Sequence, residues 1–163
     1  MKKAILIKLV FWLFPLAGFC PQGSEKQTKL DFMVKKAEFE KTIYHKEFSY
    51  ELLQQAIYFQ QIERPDIVLR QAMLESGNFT SDIFLNANNI FGIRRAKIRL
   101  TPAIDEYKGH AKYLHWYDST RDYKYLQDYY KELGYKTDDY FLFLEQIPYA
   151  TNPNYTTILK ELV

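Results

Sequence analysis

The chain has 163 residues, enough for one domain with a proper core, and a net charge of +2 with acids and bases nearly balanced. That balance argues against a dedicated nucleic-acid binder, which carries a strong basic excess. A single cysteine, Cys20, leaves the rest of the chain without a disulfide, a cysteine nucleophile or a thiolate metal site, and the three histidines form no zinc motif, so neither metal nor cofactor is expected.

At the N-terminus Lys2 and Lys3 precede an apolar run over residues 4–19, interrupted by Lys8 and Pro15. Residues 1–20 read as a secretory signal peptide, shorter than the roughly 20 apolar residues of a spanning helix. An uncleaved membrane anchor is the weaker alternative. Residues 16–20 look like a lipoprotein signal damaged by Phe19, which leaves a lipid anchor at Cys20 as the less favoured reading. Export to the periplasm or cell envelope follows, with membrane contact confined to that N-terminus. Residues 21–48 read as a polar lead-in and a helix near 30–45 on Leu30, Met33, Val34, Ala37 and Tyr44, either packed on the domain or standing apart as a spacer.

The domain proper is expected over 49–163. Ser49 reads as the N-cap of a helix carrying Leu52, Leu53, Ala56, Ile57 and Phe59, and Pro65 restarts the chain for the next. That next helix runs through Ile67 and stops at Gly77. Val68, Gln71, Ala72 and Glu75 share one of its faces, because three- and four-residue steps stack. Burial on this mostly apolar face disfavours the charged form of Glu75, and the negative pole of a helix end pushes the same way. A carboxylic acid kept protonated near neutral pH is what a glycosidase needs to protonate a leaving sugar oxygen.

After Gly92 the character changes. Arg94, Arg95, Lys97 and Arg99 cluster, either as a solvated face or as a surface for a polymer bearing carboxylates. Residues 105–109 read as a turn, and the alternation over 111–116 suggests a short β-hairpin. Ser119 and Asp122 have capping-box spacing for a helix with Tyr123, Leu126, Tyr130 and Leu133 facing in and Gly134 stopping it. Asp138 or Asp139 caps a helix through Phe141, Leu142, Leu144 and Ile147, ended by Pro148. Asn152-Pro153 opens the last helix, with Tyr155, Ile158, Leu159 and Leu162 facing in. Eleven of the 14 tyrosines lie between Tyr107 and Tyr155, either packing helices or lining a cleft with rings that stack on sugars.

Five blocks in order carry a family resemblance. They are Gln71-Ala72-Met73-Leu74-Glu75-Ser76-Gly77; Asn88-Asn89-Ile90-Phe91-Gly92-Ile93; Gly109-His110-Ala111-Lys112-Tyr113; Trp116-Tyr117-Asp118-Ser119 with Asp122-Tyr123; and residues 148–155, from Pro148-Tyr149-Ala150 to Asn154-Tyr155. Together they resemble the bacterial peptidoglycan endo-β-N-acetylglucosaminidases of glycoside hydrolase family 73. The resemblance implies a mostly helical, lysozyme-like α+β fold with a small β-hairpin lobe and a cleft between lobe and helices. It implies cleavage of the β-1,4 bond between N-acetylglucosamine and N-acetylmuramic acid, with glycan strands of peptidoglycan as partner; separately from the resemblance, a monomer is the expected working unit.

By the same resemblance Glu75 falls on the general acid, Tyr149 on the active-site tyrosine, and Asn89 and Phe91 on the cleft motif. Asn88, Tyr113, Trp116 and Tyr155 are the further candidates for holding sugar. The second carboxylate belongs in the β-lobe, where Glu106 is the first candidate and Asp105 the next; both also fit a plain turn. Asn88 and Asn89 also fit turn formers or residues that hold the cleft's shape. Ser76 has no nucleophile elbow around it. The hairpin is short for the family, Asn152 replaces an aspartate, and Asn78-Phe79 replaces an aromatic-glycine pair. A lytic transglycosylase and a non-catalytic glycan-binding wall module are the alternatives to a hydrolase.

Overall fold

The computed structural model describes residues 25–147 and 149–162, so the signal-peptide segment, Cys20 and Pro148 lie outside the described residues. The chain divides into two compact units, Met1–Lys35 and Lys36–Val163. Helix α1 (Glu25–Ile43) runs from one into the other. In the first unit Leu30, Met33 and Val34 are exposed. Among the described residues no helix is long and apolar enough to cross a membrane.

The second unit begins within α1 and uses its last turns: Phe39 and Ile43 are buried in its core. The domain boundary drawn at Ser49 leaves those residues out. Helix α2 (Tyr50–Phe59) starts where Ser49 accepts a hydrogen bond from the Leu52 amide and buries Leu53, Ala56 and Ile57. Helix α3 (Pro65–Glu75) starts on its proline, whose missing N–H costs nothing in the first turn. A six-residue helix, α4 (Asp82–Ala87), is capped by Ser81; it is too short to show a periodic apolar stripe, and only the Ser81-Asp82 start marks it in the sequence.

Strands β1 (Asp105–Tyr107) and β2 (His110–Lys112) pair antiparallel, with Glu106 opposite Ala111 and Tyr107 opposite His110. The turn is confined to Lys108 and Gly109, both at positive φ, the geometry that matches the twist of a tight hairpin. Residues 105–107 are therefore strand rather than turn, and the second strand ends before Tyr113.

Helix α5 (Trp116–Glu132) begins ahead of the expected capping box, with the His115 ring accepting from the Tyr117 amide. Most of its first half is buried, from Trp116 to Tyr123 apart from Arg121, and Arg121, Lys124 and Asp128 keep one partly exposed face. Ser119 and Asp122 are buried within it and serve tertiary contacts instead of a cap. Ser119 Oγ accepts from the Ile90 amide at 3.1 Å, and Asp122 accepts from Tyr113 Oη at 2.6 Å and from both terminal nitrogens of Arg99. Asp118 accepts from Tyr44 Oη at 2.7 Å. Leu133, expected on the inward stripe, is exposed.

Asp139 caps α6 (Tyr140–Gln146) by accepting from the Phe141 and Leu142 amides. Helix α7 (Tyr155–Glu161) starts after Asn154; Asn152 and Pro153 form a turn ahead of it, in which the Asn152 side chain accepts from the Asn154 amide. Helix α3 packs on α2 and α7, α5 on α2, α6 on α7, and the hairpin on α4. This is the mostly helical, lysozyme-like α+β arrangement with a small hairpin lobe.

Candidate active site

Glu75 is the last residue of α3, and the chain beyond it is tied down tightly. The Asn78 amide donates to the Met73 carbonyl at 2.8 Å across Gly77, which sits at φ +56° as a helix-ending glycine commonly does. Ser76 is buried; its hydroxyl donates to the Ala72 carbonyl and accepts from the Phe79 amide, so it is a structural lock facing its own backbone and does not line the groove. The side chain of Glu75 is thus held by a terminated helix rather than by a mobile loop.

Facing it is Gly92, at φ +60°. A Cβ built there would lie 3.2 Å from Glu75 Oε2, so both the left-handed backbone and the close approach call for glycine. Asn89 sets that backbone. Its amide nitrogen donates to the carbonyls of Ile93 (2.9 Å) and Ala111 (2.8 Å), and its oxygen accepts from the Ile93 amide. Asn88 ends α4 in a left-handed conformation and donates to the carbonyls of Tyr113 and Leu114. Both side chains are committed to the protein's own backbone and neither lines the groove; they shape it.

The groove has a volume of about 720 Å³. Leu74 and Glu75 line it from α3, the run 91–94 and residues 96–99 from the segment after α4, His110 from β2, Leu126, Tyr129 and Tyr130 from α5, and Tyr149, Asn152, Tyr155 and Ile158 from the C-terminal region. Among the described residues that line it, Glu75 is the one carboxylate. Burial raises the Glu75 pKa above the ordinary glutamate value, opposed by hydrogen bonding from Tyr155 and by the charge of His110.

Behind Glu75 runs a chain of uncharged hydrogen-bonding groups in one direction. Gln127 donates to Tyr140 Oη, Tyr140 and Tyr123 share a bond at 2.9 Å, and Tyr123 Oη donates to Gln71 Oε1 at 2.5 Å. Gln71 Nε2 donates to Tyr155 Oη at 3.1 Å, which leaves the Tyr155 proton free to face Glu75. Gln127 is in turn held by the backbone of Glu63. A fully satisfied buried network of this kind fixes rotamers, since any broken member leaves a costly unpaired group. Tyr149 Oη donates to the Phe91 carbonyl at 3.1 Å, and its ring packs against Tyr155.

Of the residues singled out from the sequence, Glu75, Phe91, Tyr149 and Tyr155 meet at the groove. Phe91 is buried, with its ring 4.4 Å from that of Tyr123, so it packs the groove floor and has no open face for a sugar. Tyr113 and Trp116 do not reach the groove: Tyr113 is buried against Asp122, and Trp116 is buried with its ring edge-on to Phe48. Asp105 and Glu106 are exposed on β1 outside the groove. The structure adds His110, Tyr129 and Tyr130, and from the basic cluster Arg94 and Lys97. His110 stands in one of the five blocks; the two tyrosines carry no signal beyond their place in the tyrosine-rich stretch.

Among the described residues no group of three or more His, Cys, Asp and Glu side chains is placed to hold a metal ion. The family model for glucosaminidase, described as mannosyl-glycoprotein endo-beta-N-acetylglucosaminidase, matches residues 35–163. No curated protein and no solved structure matches the chain. With the family match spanning the compact unit that holds the groove, the chain belongs to the glucosaminidase family and is a glycoside hydrolase of the endo-β-N-acetylglucosaminidase kind.

Proposed function

We propose that this enzyme cleaves the β-1,4 bond between N-acetylglucosamine and N-acetylmuramic acid in peptidoglycan, with Glu75 as the general acid. The observation that carries the reading is a single, partly buried carboxyl in a groove lined by tyrosines, with its pKa pushed up by burial. In the neutral form Glu75 protonates the glycosidic oxygen as the C1–O bond breaks through an oxocarbenium-like transition state. Tyr155, oriented by Gln71, hydrogen-bonds the carboxyl, and Tyr149, anchored on the Phe91 carbonyl, packs its ring against Tyr155.

Asp105 and Glu106 stand outside the groove, which favours a route in which the substrate supplies the nucleophile. The carbonyl oxygen of the 2-acetamido group attacks C1 and closes an oxazolinium ring, while the glycosidic C1–O bond breaks and the leaving oxygen takes the Glu75 proton. Water then adds at C1, giving its proton to the Glu75 carboxylate and reopening the ring. Configuration is retained, because C1 is inverted twice. The pattern of residues 1–20 supports delivery of the enzyme to the envelope, where this substrate lies.

A lytic transglycosylase also works with one acidic glutamate, so the lone carboxylate favours it as the second reading. Digestion of purified peptidoglycan, borohydride reduction and mass spectrometry separate the two. Reduced N-acetylglucosamine ends are expected. Anhydro-muramyl ends would assign a transglycosylase, and binding without any cleavage would assign a wall-binding module.

A further inference from the structure

The groove contains more positive charge than its chemistry at Glu75 uses. Arg94 and Lys97 line it, both are exposed, and neither has an acidic partner among the described residues. They are not among the groups that shift the acid, whose neighbours are Tyr155 and His110. Arg99, also in the lining, is neutralised by Asp122, with one nitrogen at 2.5 Å.

The segment that carries the two free cations is fastened at both ends. On one side the Ile93 carbonyl accepts from the Ala111 amide at 2.9 Å, and Asn89 grips both amide and carbonyl of Ile93. On the other side the buried Arg99–Asp122 pair, shared with Tyr113 Oη, ties the segment to α5. Arg94, Arg95 and Lys97 are all exposed on this short stretch pinned at each end, and the two that line the groove, Arg94 and Lys97, give it a standing positive field beside Glu75, the one acid among its described lining residues.

We propose that Arg94 and Lys97 form a cationic rim that binds carboxylates hanging from the glycan strand, so that the groove selects an acidic polymer over a neutral one. This rests on the reading of the groove as a peptidoglycan-strand site. Such carboxylates have two sources: the lactyl group of muramic acid where the strand is bare, and the stem peptide where it is not. The rim discriminates by charge, so its preference weakens with salt.

The test measures binding by the full chain carrying Glu75→Gln, so that cleavage does not intervene. Three probes of equal length are compared at low and high salt: N-acetylglucosamine oligomers, bare glycan strands with free lactyl carboxylates, and strands bearing stem peptides. At low salt at least one acidic probe is expected to bind about tenfold tighter than the neutral oligomer, with the gap closing as salt rises. Adding Arg94→Gln and Lys97→Gln removes that gap, and the charge-conserving pair Arg94→Lys and Lys97→Arg retains most of it. Preference for peptide-bearing strands assigns the stem peptide; preference for bare strands assigns the lactyl group. Equal binding of all three probes, a preference indifferent to salt, or an equal loss on neutral and acidic probes in the Gln pair overturns the rim while leaving the glycan groove intact. Failure of all three probes to bind overturns the groove reading and the rim with it.

Discussion

On the helical side of the groove, the surroundings of Glu75 form a closed set of hydrogen bonds running from Gln127 through two tyrosines and Gln71 to Tyr155. On the hairpin side, Asp105 and Glu106 face solvent, and the contact Asp105 makes is local, accepting from the Glu106 amide at 2.8 Å. The difference separates two tasks. Holding a proton at a defined place needs burial and a rigid frame, and the helices supply both. Supplying a nucleophile needs a group at C1; among the described residues no hairpin carboxylate lines the groove, which is what the proposed acetamido route predicts.

Glu75→Gln strikes the helical side at its centre and is expected to lower the rate of glycan cleavage by about 10³-fold, read from reducing-end release. A small effect would move the acid elsewhere and erase the contrast. Gly92→Ala places a methyl 3.2 Å from Glu75 Oε2 at a left-handed position, and a fall of about 10- to 100-fold is expected from the displaced carboxyl. Tyr155→Phe removes the hydrogen bond that opposes burial. The Glu75 pKa then rises further, so the alkaline limb of the pH–rate profile moves to higher pH while the rate falls about tenfold. An unmoved limb would mean that Tyr155 only packs.

Asp105→Asn with Glu106→Gln tests the hairpin side directly: the rate is expected to stay within about twofold, the response of exposed side chains that touch no substrate. A hundredfold fall would show a carboxylate reaching the groove and would replace the acetamido route with a two-carboxylate one. The smallest effect expected is on stability. Because the folded pKa of Glu75 lies above its unfolded value, the native state binds more protons between the two, and stability falls as pH rises through that window. Glu75→Gln should therefore melt higher than the parent at neutral pH, with the advantage vanishing below the ordinary glutamate range; thermal scans at both pH values check this.

How much of this was visible in the chain depends on the distance between partners. Ser49, Pro65, Gly77 and Asp139 are recognisable because each acts on backbone within about four residues of itself. The capping-box spacing of Ser119 and Asp122 misled for the opposite reason. Their partners, Ile90 and Arg99, are 29 and 23 residues away, and nothing in the local pattern marks such a pairing. Tyr113 and Trp116 have the right side chains for a sugar platform, but Trp116 opens α5 on its buried side and Tyr113, between β2 and α5, is drawn inward onto Asp122.

The order of residues alone determined that there would be a helix ending in one acid, a glycine-bearing turn after Asn88-Asn89, and a stretch crowded with tyrosines, since these follow from short-range backbone preferences and from side-chain type. Only the tertiary structure decided which tyrosines back the acid and which fill the core, that both asparagines turn inward, and that the hairpin carboxylates stay in water. Those outcomes depend on which surfaces are removed from solvent when distant segments pack, and desolvation is a property of the assembled fold that no local window contains.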